Sequence, residues 1–264
     1  VVREPAVAGR FYPGTPARLA ADVDGYLRPA GERLPAKGIV APHAGYMYSG
    51  AIAGEVYRRV ELPSRIVLLG PNHTGLGAAI ALWPRGSWRT PLGEVALDGP
   101  LTAALAAAPG VEEDDQAHLH EHSLEVQVPF LQRARPGLTL AALCLGPVSW
   151  RACEALGKAL GRAAAEAGAL VVASSDMSHY IPAVEAREKD RLAIDRILAL
   201  DAAGLYDVVR RERISMCGFI PATVMLVAAR EMGATGAELV RYGHSGEVSG
   251  DDAQVVGYAA MRVF

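Results

Sequence analysis

Short apolar runs alternate with longer amphipathic ones along most of this chain, and three of the short runs stop directly before residues that carry chemistry. The runs at 38–41, 65–70, 138–145 and 170–173 have the length and apolar continuity of strands buried on both faces. Between them lie helical periodicities: a run behind Thr15 as N-cap, one capped by Ser49 and reaching Arg59, an Ala-rich helix over 101–108, and helices over 149–167, 184–200 and 202–212. A helix over 122–133 places Leu124, Val128 and Leu131 on one face, with Pro129 bending it. The stretch behind Cys217 is helical and stops at Gly233, and 237–242 and 254–263 are strands. Segments 78–83 and 94–97 suit a hairpin or edge pair around the turn-like PRGSWRTPLG, and the acidic VEEDDQ suits a solvated loop. Strands alternating with helices predict an α/β fold, a single domain over 1–264 with a mixed, largely parallel central sheet flanked by helices on both faces.

Composition narrows the class. With 51% hydrophobic and 21% charged residues the chain has material for a sizeable core, so disorder is not the default. A net charge of −3 with dispersed Arg and Lys offers no nucleic-acid face. No apolar stretch reaches the roughly 18–20 residues of a membrane span, and VVREPAVAGRFYPG lacks the basic-then-apolar order of a secretory signal. The expectation is a soluble, cytoplasmic protein with no membrane partner. Cys144, Cys153 and Cys217 are too few for a disulfide framework, which suits a reducing compartment. Asn72 is the only Asn; scarce amides suit a hot environment, although the excess of Arg over Lys is not the Lys enrichment usual there.

Loops leaving the carboxyl ends of parallel strands converge on one crevice. His43 in GIVAPHAGY, His73 in RIVLLGPNHTG, and Ser175, Asp176 and His179 in ALVVASSDMSHY all follow such ends. Any one of these histidines alone reads equally well as a loop residue bonded to a carbonyl. Three in the same topological position favour a shared metal, since neutral imidazole is the commonest ligand and a carboxylate bonded to it fixes its tautomer. In HLHEHSLEVQVPF, His122 and Glu125 are three apart and share a helical face, as a metal or acid/base pair requires. Glu121 and Glu125 also suit a positive helix end, and His118 and His120 suit the surface. Cys217 precedes a helix whose amide-rich end favours thiolate, whereas Cys144 and Cys153 read as small hydrophobes. A Cys as third ligand points to Zn or Cu, two His with a carboxylate to non-haem iron. Tyr12, Tyr46, Tyr48 and Tyr180 are placed either to shape a pocket or to pack with satisfied hydroxyls.

The strings AGRFYPG, IVAPHAGYMYSG, LGPNHTG, RTPLGEV, EHSLEVQVPFLQ, SSDMSHY, CGFIPATVML and VVGYAA run in order from end to end. By them the chain resembles the Memo family, whose bacterial and archaeal members are also labelled AmmeMemoRadiSam system protein B and which is similar in fold to class III extradiol dioxygenases. The resemblance implies a metal triad of His43, His73 and Cys217, with His179 opposite the metal as acid/base, Asp176 alongside, and His122 and Glu125 lining the same cleft. In the related dioxygenases the third ligand is a carboxylate, so Cys217 is a departure that bears on ring cleavage. His244, where relatives of this kind often carry Asn, is a second departure; it either approaches the cleft or occupies a loop.

The leading expectation is therefore a non-haem iron redox enzyme, dioxygenase-like, acting on an unknown small molecule, with Fe(II) as its ion and Cu or Zn as alternatives. A zinc-type hydrolase using His179 or Glu125 as base is the second. The third is a non-catalytic module binding phosphorylated peptides, as animal members resembling this chain are described; its basic candidates are Arg85, Arg89, Arg210, Arg211 and Arg213. The family's label also implies radical-SAM and AMMECR1-like system partners.

Overall fold

The computed structural model describes residues 1–28 and 31–264. Its centre is four parallel strands in the order Gly38–Ala41, Leu170–Ser174, Arg65–Pro71 and Thr139–Leu145. Their apolar runs are continuous because both faces are covered. Ile39, Ile66, Leu68 and Val172 point into one core, and Val40, Val67, Leu69 and Val171 into the other. The first core is closed by helices Pro16–Tyr26, Tyr46–Arg59 and Val128–Ala134, the second by Trp150–Ala167, Ala202–Arg211 and Phe219–Glu231. Antiparallel strands extend both edges of the sheet. Ile80–Leu82 pairs with Thr139–Leu145 and carries Glu112–Glu113 outside it; Val255–Val263 pairs with Gly38–Ala41 and with both Ala237–His244 and His179–Ile181. The sheet is thus mixed with a parallel core, as the alternation of runs predicts. Among the described residues, no helix is long and apolar enough to cross a membrane.

Local chemistry explains where elements differ from expectation. Segments 78–83 and 94–97 do not pair with each other: Ser87–Thr90, inside the turn-like stretch, forms a hairpin with Gly93–Ala96, and Val2–Arg3 completes a separate three-stranded sheet. Trp88 anchors it, buried beneath the Arg3 guanidinium at 4.4 Å. The segment over 122–133 is not one bent helix but a 3₁₀ turn, Glu125–Gln127, running into Val128–Ala134. Pro129 lies in the first turn, where its missing N–H breaks no helical bond. The helix expected to start from Ser49 begins at Tyr46, with Gly45 as N-cap; the Ser49 hydroxyl turns back onto the Ala44 carbonyl. The acidic stretch is more than a solvated loop, because Glu112–Glu113 joins the sheet and Asp114 accepts from the Ala78 and Gln116 amides.

Candidate functional site

The strand tips deliver what the topology promises. His43 follows Gly38–Ala41, His73 follows Arg65–Pro71, and Asp176 and His179 follow Leu170–Ser174. Cys217 arrives from elsewhere, one residue before Gly218, the N-cap of Phe219–Glu231. A Cβ at Gly218 would collide with the Ser174 carbonyl and the Ser175 side chain, so glycine lets this helix start press against the strand tip. The Cys217 Sγ thereby comes within 3.2 Å of His43 Nε2. Ligand atoms of His43, His73 and Cys217 all lie within 4.8 Å of one another, a spacing that one ion can bridge.

Each imidazole is held from behind. Glu121 clasps His73 twice, with Oε2 accepting from the His73 amide at 2.6 Å and Oε1 lying 2.9 Å from Nδ1. Burial opposes charge on Glu121, but the bond and charge of His73, the Ser123 amide and the nearby His122 outweigh it and hold the carboxyl at about 2. A carboxylate behind a ring nitrogen leaves Nε2 of His73 facing outward. His43 has Nδ1 2.9 Å from Ser174 Oγ, and its amide donates to Asp176 Oδ1 at 2.7 Å. Burial, reinforced by His122, His73 and His179, pushes its pKa well below the ordinary value, so at neutral pH it is a neutral imidazole. His122 stacks on His73 with centroids 4.6 Å apart, and Phe11 lies 4.5 Å from it. Burial above all lowers its pKa to about 4.

Asp176 and Cys217 complete the cluster. Burial raises Asp176 to about 6 despite bonds from the His43 and Ala44 amides, and its Oδ2 lies 4.0 Å from His43 Nε2. The expectation of a thiolate at Cys217 is corrected: burial and the neighbouring Asp176 raise its pKa, and the Gly218 and Cys217 amides do not offset them. Without a cation beside it, Cys217 is a thiol. The cleft is open on one side, where His73 and Cys217 are partly exposed.

His179 sits at the rim, its Nδ1 2.9 Å from the Ser215 carbonyl and its backbone amide donating to Ser215 Oγ at 2.7 Å. Tyr180 beside it is exposed and has φ 58, a strained backbone for an aromatic residue. Glu125 is drawn away from the cleft, which corrects its pairing with His122. Its buried carboxylate accepts from Arg3 Nη1 at 2.7 Å, Tyr12 Oη at 2.6 Å and the Ala6 and Val7 amides. Tyr12 and Tyr46 pack with satisfied hydroxyls, the latter on the Val126 carbonyl. His118 is not a surface residue: it is fully buried between Trp83 and Trp88, with Nε2 on the Ala81 carbonyl, while His120 is exposed. His244 ends strand Ala237–His244, buried, with Nδ1 3.8 Å from Asp252. Cys144 and Cys153 are buried as expected. Ser174, a bland strand residue, gave no signal in the sequence, and Glu121, read there as suiting a positive helix end, instead sits behind His73.

Fold and cleft together define an α/β protein with a His, His, Cys cluster and flanking carboxylates at the carboxyl edge of its parallel strands. The Memo-like protein family matches residues 3–262, and the chain belongs to that family. It is 46% identical over 264 residues to a MEMO1 family protein of Aquifex aeolicus (strain VF5), covering 98% of each chain, and 43% identical over 276 residues to one of Methanopyrus kandleri, again covering 98% of each. Among solved structures, an uncharacterized protein of Escherichia coli K12 is similar with a TM-score of 0.53 at 13% identity, over 85% of this chain and 98% of that one, a likeness of fold.

Proposed function

We propose that the cleft is a mononuclear metal site of an oxidoreductase acting on a small molecule, with iron(II) as its ion and His43, His73 and Cys217 as its ligands. The observation that carries this reading is the approach of Cys217 Sγ to His43 Nε2, with His73 alongside and each Nδ1 already engaged. Neutral imidazoles and a thiol that can lose its proton fit a mid-row divalent ion, and the open side leaves room for substrate. When bound, iron supplies one-electron redox chemistry at an open coordination position. The chain's own residues do the rest. Glu121 keeps His73 oriented, and Asp176, raised to about 6 and next to the thiol, holds or releases a proton near neutral pH. His179 at the rim exchanges protons with substrate and solvent.

The same donors suit zinc, and the softer Cys217 in place of a carboxylate is the observation that favours a hydrolase as second reading. A phosphopeptide module has less support. Of its candidate cations, Arg89 is paired with Glu4 and Glu94, Arg211 with Glu212, and Arg210 lies over Tyr206. Protein prepared without oxygen, loaded with iron and given catechols or reduced flavin, should consume oxygen above a His43→Ala control. No difference between the two would overturn the redox reading; zinc at about one per chain with esterase activity lost on chelation would replace it.

A further inference from the structure

Ser174 is the last residue of its strand, fully buried, and its hydroxyl has one proton to give. That proton goes to the Ser123 carbonyl at 2.6 Å. Toward every other neighbour the Ser174 oxygen can only accept. Two groups meet it there: Gln127 Nε2, donating at 2.8 Å, and His43 Nδ1 at 2.9 Å. The Gln127 amide cannot be turned over, because its Nε2 also donates to the Pro42 carbonyl at 2.9 Å while its Oε1 accepts from the Tyr57 hydroxyl at 2.9 Å. Reversing it would set oxygen against a carbonyl and NH₂ against a phenol that then loses its acceptor. Tyr57 and Gln127 are as buried as Ser174, so no solvent relaxes this chain of bonds.

We propose that Ser174, itself held by Gln127 and Tyr57, is a positioning residue that fixes His43 as the Nδ1-protonated tautomer and so aims a bare Nε2 at Cys217. The consequence for metal affinity rests on the function proposed above; the tautomer does not. Helix Tyr46–Arg59, the 3₁₀ turn Glu125–Gln127 and strand Leu170–Ser174 each supply one member, so three separate elements set one ring nitrogen. For His73 a single carboxylate does the same work.

Nitrogen-15 spectra of metal-free protein at neutral pH give the tautomer directly, with the His43 signals assigned by their loss in His43→Ala. The wild type should show a proton on Nδ1 and a bare Nε2. In Ser174→Ala both tautomers should be populated, and zinc affinity, read by competition with a chelator, should fall about 10–100-fold. Ser174→Thr, which keeps the hydroxyl, should hold the wild-type tautomer. Tyr57→Phe, which frees the Gln127 amide, should move both readouts the same way by less, and it serves if Ser174→Ala does not fold. A proton on Nε2 in the wild type, or an unchanged tautomer with unchanged zinc affinity in Ser174→Ala, would overturn the assignment. An Nδ1-protonated wild type that binds no zinc, cobalt or iron would instead overturn the proposed metal site and leave the role of Ser174 standing.

Discussion

Glu121 and Glu125 lie four residues apart, both are buried, and their surroundings give them different work. Glu121 faces the cleft and spends its oxygens on His73 and on the Ser123 amide. Glu125 faces the amino-terminal segment and holds Arg3, Tyr12 and two amides there. Arg3 ties the two together: its Nη2 donates to the Glu121 carbonyl at 2.6 Å and its Nε to the His118 carbonyl at 2.9 Å. A buried carboxylate therefore acquires its role from what reaches it. One orients a ring that faces an open cleft, and the other fastens the segment from Arg3 to Tyr12.

The division can be broken by mutation. The largest effect is expected for Arg3→Ala, which leaves the Glu125 charge buried without its cation and should cost about 3–5 kcal/mol in denaturant unfolding. A loss below about 1 kcal/mol would mean that the pair behaves like a surface ion pair. Glu121→Gln should weaken metal binding about 10–100-fold, with a smaller loss of stability than Arg3→Ala. Equal effects of Glu125→Gln and Glu121→Gln on metal affinity would erase the distinction drawn between them. Metal affinity should also rise with pH, by about tenfold per unit while one proton leaves Cys217 on binding, because burial holds that thiol protonated in the absence of a cation. A pH-independent affinity between 6 and 8, in roughly the range where the thiol is protonated, would show that the thiol is not a ligand. The smallest effect is expected for Arg89→Ala, whose ion pairs with Glu4 and Glu94 are exposed and screened by solvent, so the denaturant midpoint should hardly move.

Much of the fold was legible because its signals are local. Continuous apolar runs mark strands buried on both faces, Ser149 and Gly168 bracket a helix of ordinary chemistry, and the order of elements dictates a parallel core. The histidines were legible for a related reason: topology alone sends strand tips to one edge. Cys217 was placed beside them by resemblance rather than by spacing. What stayed hidden depends on partners distant in sequence. Nothing in the strings around Arg3 and Glu125 announces a bond across 122 positions, and Ser174 matters only because Ser123 takes its proton. The strand Ser87–Thr90 was hidden by turn-forming neighbours, although burial of Trp88 and Thr90 on one side supplied the alternation of a half-buried strand.

X-ray absorption at the metal edge, on protein loaded without oxygen, tests the central claim most directly. The account predicts one ion per chain with a sulfur and imidazole nitrogens around it, the sulfur disappearing in Cys217→Ser. An ion with no sulfur neighbour, or one whose surroundings are unchanged in Cys217→Ser, would contradict it.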